Sequence, residues 1–292
     1  MQERKLIVDR RHEGLRLDKY LALLFTDISR TRVQELIKTG SITVNGKILS
    51  AAHHLKHKDL VEVRIIQKEK AAIPLVEKDI PVIFEDDDFI VVDKPCDLVV
   101  HPVGQDQASL IGALMQKGVT LSDVSAQRPG VVHRLDKATS GIMVLAKSNS
   151  AHLWLLSQFR KRQVSKEYRA LVKGVLKIKK GEIDLPLKRL KYKPTMKVSF
   201  LGAKKSLTIF EVLKEEKGFS LLKLSPKTGR MHQLRVHLAF LGHPIVGDNK
   251  YKGPKAERLF LHSIKLGFFH PRTKNFVAFS SKLPISFEAY LK

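Results

Sequence analysis

The spacing of apolar positions near the start of the chain predicts two short helices followed by a β-hairpin. Apolar side chains recur at helical intervals in GLRLDKYLALLF and again in SRTRVQELIKTG, where Ser29 suits the N-cap and Gly40 the C-terminal end. The pair Asn45-Gly46 then lies between two β-prone runs, and both residues tolerate the positive φ of a tight hairpin turn. These elements predict a compact module over residues 14–66.

Alternating apolar and polar positions dominate the rest of the chain and predict a second domain rich in strands. The charged stretch 67–79 contains Pro74 and is predicted to be a linker. After it, the run PVIFEDDDFIVVDKP predicts a hairpin that turns at its three aspartates. Further strands are predicted at 142–147, 166–175, 182–187, 194–200, 206–214, 219–225 and 258–269, and helices at 108–117, 149–162 and 230–242. Many strands with few helices predict an α+β domain over residues 80–292, in which peripheral helices surround a mostly antiparallel, mixed β-sheet.

The net charge adds a polyanionic partner to this picture. The chain has a formal charge of +24 at pH 7, and between Leu155 and Arg235 there are 22 lysines and arginines against 6 acids. Such an excess is typical of nucleic-acid binding, because basic side chains neutralise phosphates and release counterions. The alternative is a soluble basic protein without such a partner. An anionic membrane is disfavoured, because the sequence predicts no long basic helix with an apolar face to insert.

Cysteine content and hydropathy indicate a cytoplasmic protein. Cys96 is the only cysteine, so no internal disulfide can form and a reducing compartment fits best. The first residues lack the apolar core of a secretory signal, and no run approaches the roughly 20 apolar residues that span a bilayer. We therefore expect a cytoplasmic monomer without a membrane segment.

The motifs predict no cofactor. Among the 12 histidines, His232 and His237 are five residues apart and would not share a helix face as paired metal ligands do. The sequence contains neither a Walker loop nor a GxGxxG fingerprint. Cys96 lies in an apolar stretch, which favours inert packing over a nucleophilic role. We therefore expect no metal, nucleotide or flavin.

Three stretches remain as candidate carriers of chemistry, and each has a plain structural alternative. HRLDKATSG places Asp136 on a loop between two buried strands, or it is a structural Arg-Asp turn. SKEYRALVKG is a strand in which Tyr168 is either a site residue or a core aromatic. The segment 226–251 opens a helix that carries Arg235, and this helix either completes a site or touches phosphate only.

Taken together, these stretches resemble one enzyme family. DKPCDLVVHP, HRLDKATSG, KEYRALVKG and GRMHQLRVHLAFLGHPIVGD are similar, in this order, to the motifs of the RluA-type pseudouridine synthases, and the similarity runs through residues 80–292. The module at 14–66 resembles the S4-type RNA-binding domain, as in the subgroup that includes the RluC and RluD ribosomal RNA enzymes. The resemblance implies isomerisation of uridine to pseudouridine in RNA, with large-subunit ribosomal RNA as the expected substrate and transfer RNA as the alternative.

The resemblance also implies roles for individual residues. The catalytic aspartate falls on Asp136, the active-site tyrosine on Tyr168, and the arginine that pairs with the aspartate on Arg235. Arg134 falls where an arginine takes the space of an extruded base. The other residues expected to contact RNA are basic: Arg30, Arg32 and Lys38 in the module, and Arg160, Lys161, Arg162, Lys166 and Arg230 in the catalytic domain.

The chain departs from the family pattern at two positions, and the reaction leaves alternatives open. Asp97 and Lys252 stand where the family usually has glycine, which questions the backbone shape there. The carboxylate of Asp136 can attack the ribose C1′ or remove a ribose proton, and we expect the guanidinium of Arg235 to hold its oxygens with two donors. A non-catalytic RNA-binding or ribosome-assembly factor, and a glycosylase that releases free base, are the competing functions.

Overall fold

The computed structural model describes residues 2–25, 30–65, 73–102, 107–192 and 194–291, with the side chains of 2–3, 30–32 and 65 excepted. The chain divides into two compact units, Met1–Ala71 and Ala72–Lys292. Each unit has its own hydrophobic core. None of the helices in the described ranges is long and apolar enough to cross a membrane.

The first unit is a three-stranded antiparallel sheet with two helices. Its elements are β1 (Gln2–Ile7), α1 (Leu17–Leu24), α2 (Arg30–Lys38), β2 (Ile42–Val44) and β3 (Leu60–Ile65), and the strand order is β1-β3-β2. The apolar faces of α1 and α2 pack against the sheet in one buried cluster. The predicted helices and closing strand are confirmed, whereas β1 was not predicted.

Local turn chemistry explains the boundaries in this unit. Gly40 has a φ of 74°, and the amide of Ser41 donates to the carbonyl of Leu36 (3.0 Å), which ends α2 in the manner typical of a left-handed C-terminal residue. Asn45 and Gly46 have φ angles of 51° and 75°, as a tight hairpin turn requires. The predicted N-cap, Ser29, lies outside the described residues.

The second unit is built around one large sheet. Its elements are β4 (Val82–Glu85), β5 (Phe89–Lys94), α3 (Leu110–Gln116), β6 (Ser140–Ala146), α4 (Asn149–Lys161), β7 (Ser165–Lys173), β8 (Lys180–Asp184), β9 (Leu187–Arg189), β10 (Met196–Val198), β11 (Leu207–Glu216), β12 (Phe219–Pro226), α5 (Gln233–Phe240), β13 (Leu261–Phe269), β14 (Phe276–Ser280) and a 3₁₀ segment (Ile285–Tyr290). In the described ranges nine strands pair in the order β4-β5-β6-β13-β7-β12-β11-β8, with β14 on β13, while β9 and β10 form a separate ribbon. The predicted α+β class and mixed sheet are confirmed.

One parallel pairing joins the two halves of this sheet. β6 runs parallel to β13, with Ser140 opposite His262 and Gly141 opposite Ser263, whereas the other pairs are antiparallel. A Cβ on Gly141 would lie 2.2 Å from the carbonyl oxygen of Ser263, so this close approach of two backbones requires glycine. The loop 133–139 therefore ends at a fixed point beside β13.

Helices cover both faces of β6, which is why its sequence is continuously apolar. Met143 and Leu145 face the cluster that contains α3, whereas Ile142 and Val144 face the cluster that contains α4. Ser109 and Ser148 cap these two helices by accepting amide hydrogen bonds from Gly112 and Ala151. The loop that precedes β6 is thereby anchored on a rigid strand.

Several predicted boundaries were wrong, for local reasons. The helix predicted at 230–242 begins only at Gln233, because His232 has a φ of 52°, which a right-handed helix cannot contain. The strand predicted at 194–200 is the short β10, and β9 and β14 were missed. Strands this short contain too few alternating apolar and polar residues for the prediction to detect them.

Candidate active site

A cavity of about 920 Å³ in the second unit is lined by residues within 132–139, 159–168 and 225–235 and by Leu261. Arg134 and Asp136 come from the loop before β6, Tyr168 from β7, and Arg235 from the first turn of α5. The structure therefore brings together the four residues that the sequence motifs single out, although as many as 101 positions separate them along the chain.

A buried lysine fixes the loop that carries Asp136. The ammonium of Lys94, at the end of β5, donates to the carbonyls of Pro95 (2.7 Å), Leu98 (2.8 Å) and Lys137 (3.1 Å). Burial lowers the pKa of Lys94 to about 8. Because Lys137 directly follows Asp136, this side chain ties the acid to the neighbouring strand. Lys94 was part of a quoted motif, but its role was missed.

The carboxylate of Asp136 is 23% exposed and faces two cationic or polar donors across a gap. Its Oδ2 lies 3.6 Å from Nη1 of Arg235 and 3.7 Å from Nε2 of His232, distances longer than hydrogen bonds. No side chain or amide in the described ranges donates a hydrogen bond to Oδ1. The acid is therefore electrostatically oriented through one oxygen and open at the other.

Arg235 makes its two-donor contact with a different acid, Asp248, and not with Asp136 as expected. Its Nε and Nη2 donate to the two oxygens of Asp248, both at 2.7 Å. Asp248 is fully buried and also accepts from the amides of Lys250 and Tyr251. The expected geometry was wrong because Asp248 accepts both hydrogen bonds of the Nε/Nη2 edge, and Nη1 then approaches Asp136 only to 3.6 Å.

The ion pair with Asp248 keeps Arg235 charged inside the protein. Burial by itself would lower the pKa of Arg235, but the hydrogen bonds and negative charge of Asp248 raise it above its usual value. The remaining Nη1 points to Asp136. Asp248 was missed at the sequence level, where its only signal was its place in the segment GDNKY.

Tyr168 presents a neutral phenol to the cavity. It lies on β7, opposite Leu224 of β12 and Ser263 of β13, and its ring packs against two core clusters. Burial raises the pKa of Tyr168 to about 12, and the charge of Asp136 acts in the same direction. The site and core interpretations of this residue are therefore compatible, because one side of the ring packs and the residue also lines the cavity.

His232 and Tyr251 form a hydrogen-bonded pair next to Asp136. Nδ1 of His232 lies 2.7 Å from Oη of Tyr251, which also accepts the amide hydrogen of Met196 (3.0 Å). Burial lowers the pKa of His232 and raises that of Tyr251. The sequence analysis considered His232 only together with His237, whose spacing disfavours a metal pair, and missed its place beside Asp136.

The predicted RNA-contacting residues fall into three groups. Arg134, Arg160, Arg162, Lys166 and Arg230 line the cavity. Lys161 is exposed at the end of α4 but is not part of the lining, and Lys38 is exposed at the end of α2 in the other unit. Arg30 and Arg32 belong to α2, but their side chains lie outside the described residues.

Both departures from the family pattern occupy backbone conformations that favour glycine. Asp97 has a φ of 58° and Lys252 a φ of 61°. The left-handed conformation costs about 1–2 kcal/mol for a residue with a Cβ. The chain thus keeps the backbone shape that glycine would give and accepts local strain at both positions.

Other reactive groups in the second unit are occupied or scattered. The thiol of Cys96 donates to the carbonyl of Ala138 (2.9 Å), and burial raises its pKa, which makes it a poor nucleophile. In the part of the chain that the structure describes, no three histidine, cysteine or acidic side chains cluster in a way that would hold a metal ion. Asp136 is therefore the strongest candidate for a reacting group among these residues.

Comparison with known proteins finds two family models that match the chain. Residues 88–240 match the family model described as RNA pseudouridylate synthase, and residues 15–61 match the S4 domain. An uncharacterised RNA pseudouridine synthase of Bacillus subtilis is 39% identical over 276 residues, which is 92% of this chain and 90% of that protein. Ribosomal large subunit pseudouridine synthase D of Vibrio cholerae is 36% identical over 290 residues, covering 93% and 88%.

The fold is similar to solved structures as well. Human RNA pseudouridylate synthase domain containing 1 superposes with a TM-score of 0.62 at 28% identity, covering 75% of this chain and 90% of that chain. Human RNA pseudouridylate synthase domain containing 4 superposes with a TM-score of 0.58 at 29% identity, covering 72% of this chain and 91% of that chain.

Proposed function

The chain belongs to the RNA pseudouridylate synthase family and carries an S4 domain, and from this premise we propose that it isomerises specific uridines to pseudouridine in large-subunit ribosomal RNA, with transfer RNA as the alternative substrate. The single observation that carries the proposal is the position of Asp136, a partly exposed carboxylate in a cavity shared with Tyr168 and Arg235. We further propose a cytoplasmic monomer in which residues 67–79 link the two domains.

Asp136 is the proposed reacting group. The isomerisation breaks the bond from ribose C1′ to uracil N1 and forms one from C1′ to C5, after which N1 carries a proton and C5 has lost one. The free Oδ1 can attack C1′ to give a covalent intermediate, or remove a ribose proton to give a glycal, and both routes remain open. Arg235 and His232 stabilise the negative charge through Oδ2.

Tyr168 is proposed to hold the detached uracil. Its phenol stays neutral, since burial raises its pKa to about 12, and a neutral ring stacks on a base without placing a second anion beside Asp136. Stacking of a base on an aromatic side chain contributes about 1–3 kcal/mol. The ring also helps to exclude water, which would otherwise capture the ribose carbon.

Access to Asp136 requires the target nucleotide to leave its stack. Flipping costs a few kcal/mol, less for an unpaired base. Arg134 is exposed at the cavity and makes no hydrogen bond or ion pair within the described ranges, so it is free to enter the vacated space. Arg160, Arg162 and Arg230 would contact the flanking phosphates.

The two domains would act as tethered anchors on one RNA. Lys38, Arg30 and Arg32 of the S4 domain, with Lys161 and Lys166 near the cavity, supply further cationic contacts. Linking two weak binding modules raises the effective concentration of the second at its site. The S4 domain would therefore increase residence on structured RNA without entering the chemistry.

The proposal is tested by mapping pseudouridine after incubation of ribosomal and transfer RNA transcripts with the full chain. We expect alkali-resistant carbodiimide adducts at specific positions with the wild-type protein and with Asp87→Asn, a surface control, but none with Asp136→Asn. Unchanged RNA mass separates isomerisation from base release. RNA binding without adducts on every transcript would instead identify a non-catalytic binding protein.

A further inference from the structure

We infer that His232 is a positioning residue for Asp136, held in one tautomer that presents Nε2–H to the carboxylate. This inference deepens the function proposed above and rests on it. The ring lies between two partners: Oη of Tyr251 is 2.7 Å from Nδ1, and Oδ2 of Asp136 is 3.7 Å from Nε2. Which nitrogen carries the proton therefore decides whether the histidine attracts or repels the acid.

The phenol of Tyr251 decides the tautomer. Its oxygen already accepts the amide hydrogen of Met196 (3.0 Å), and its own proton must go to an acceptor. Within the described ranges the acceptor in hydrogen-bond contact with that hydroxyl is Nδ1 of His232. Tyr251 keeps its proton because burial raises its pKa. Nδ1 is thus the acceptor, and the single proton of a neutral imidazole must be on Nε2.

The neutral state of the ring suits a positioning role. Burial lowers the pKa of His232, and this effect outweighs the opposing charge of Asp136. A neutral N–H donor can orient a carboxylate without transferring a proton to it. The 3.7 Å gap is open in this structure, and catalytic contacts of this kind shorten when substrate binds.

The backbone at His232 is strained in a way that supports a functional placement. It has φ 52° and ψ 19°, immediately before α5, in the left-handed region that is unfavourable for a residue with a Cβ. Such strain persists only where the surroundings hold it, and it concentrates at functional sites. Here it turns the ring toward Asp136, while Arg235, three residues later, approaches the same oxygen.

The resulting chain of contacts reaches beyond the cavity. Met196 begins β10 of the two-stranded ribbon, so the ribbon backbone orients Tyr251, Tyr251 sets His232, and His232 faces Asp136. The two donors on Oδ2 leave Oδ1 as the reacting oxygen. His232 is accordingly a positioning residue, since it would act through Asp136, the proposed reacting group.

A direct measurement on the unmodified protein tests the tautomer. In a long-range ¹H–¹⁵N spectrum of the ¹⁵N-histidine-labelled full chain, with the signal assigned by its loss in His232→Asn, we expect Nδ1 unprotonated and Nε2 protonated at neutral pH. The opposite tautomer, or an imidazolium, would overturn the inference. This outcome does not depend on activity, so failure of the proposed function would be recognised separately by unmodified RNA.

A matched pair of variants tests the positioning role. Asparagine tolerates the left-handed backbone best and can accept from Tyr251, but it cannot reach Asp136. Glutamine fits the backbone less well, yet its amide can place an N–H near the position of Nε2. If the role of His232 is merely structural, His232→Asn should therefore keep the higher reaction rate. If His232 positions Asp136, His232→Gln should keep the higher rate.

Single-turnover rates at saturating RNA show which of the two variants is faster and so decide between the two roles. For loss of a hydrogen bond to a charged group we expect His232→Asn to be about 10- to 100-fold slower than wild type, with unchanged RNA affinity. His232→Gln should retain more of the rate despite a lower melting temperature. If His232→Asn is as fast as His232→Gln or faster, the inference is wrong.

Discussion

Two aspartates share Arg235, and the difference between their surroundings separates a structural acid from a chemical one. Asp248 is fully buried, receives both edge donors of the guanidinium at 2.7 Å, and accepts two backbone amides. Asp136 is 23% exposed and meets its donors at 3.6 and 3.7 Å. A carboxylate that already accepts four hydrogen bonds, such as Asp248, has little acceptor capacity left for a substrate. The carboxylate of Asp136 accepts none within hydrogen-bond distance in the described ranges and keeps that capacity.

The comparison also shows why both acids are needed. Without Asp248, Arg235 would be a buried cation whose remaining ion pair in the described part of the chain is with Asp136 at 3.6 Å, and Asp136 would be drawn into a tight pair. Asp248 occupies the strong edge of the guanidinium and leaves one weaker donor for Asp136. The arrangement places a positive charge beside the reacting acid without fixing both of its oxygens.

The largest effect should follow from removing the chemical acid. Asp136→Asn retains the size and loop contacts of the residue but removes its charge, so we expect at least about a 10⁴-fold loss of turnover, as for other essential catalytic groups. Its melting temperature should stay close to wild type, since the acid makes no short side-chain hydrogen bond. Turnover comparable to wild type would remove Asp136 from the mechanism.

Removing the structural acid, Asp248, should instead lower the stability of the protein. Asp248→Asn leaves Arg235 without its buried partner, and breaking a buried ion pair costs about 3–5 kcal/mol. Urea unfolding followed by circular dichroism should show this loss in the free energy of unfolding. If Asp248→Asn is as stable as Asp136→Asn, the distinction between the two acids fails.

The support of the Asp136 loop offers an intermediate effect. Lys94→Met keeps the length of the side chain but removes the ammonium that donates to three carbonyls, which we expect to lower the free energy of unfolding by about 2–4 kcal/mol. Activity should fall as well, because the contact to Lys137 is lost. Lys78→Met, on the surface, is the matched control and should change neither quantity.

Acidification should weaken the Asp136 segment through His133. Nε2 of His133 accepts the amide hydrogen of Val144, and the ring stacks on Phe159. Burial lowers the pKa of His133 to about 3, so the unfolded chain binds a proton below pH 6.5 that the folded chain does not. Stability is therefore lost as pH falls, by about 2 kcal/mol at pH 5 from this group.

Unfolding free energies measured between pH 7 and pH 5 test this sign. His133→Gln can still accept from Val144 but does not titrate, so its stability should fall less steeply over the same range. Parallel slopes for the two proteins would contradict the assignment.

The smallest effect concerns the turn beyond Asp248. Lys252 has a φ of 61°, and Lys252→Gly should stabilise the protein by about 0.5–1 kcal/mol, the relief of strain less the added entropy of the unfolded chain. Thermal unfolding measures the change. Activity should be unaffected, and a destabilised variant would show that Lys252 makes a contact worth more than its strain.

The sequence by itself determined most of the local elements and the identity of the site segments. Asn45-Gly46 specified a hairpin because both residues accept positive φ, and the three aspartates after Val82–Glu85 specified a turn. The resemblance of the motifs to one family assigned Asp136, Tyr168 and Arg235 to one active site, and the structure brings them to one cavity. These features depend on neighbours within a few residues, or on a recurring pattern of motifs, and are readable in one dimension.

Only the tertiary structure decided which partner each side chain takes. The choice of Asp248 over Asp136 by Arg235, the contact of Lys94 with Lys137, and the parallel pairing of β6 with β13 join residues distant in sequence. A guanidinium can reach any acid that folding brings within a few ångströms, and the strongest geometry wins. That competition depends on distances between folded elements, which residue types and spacings along the chain do not specify.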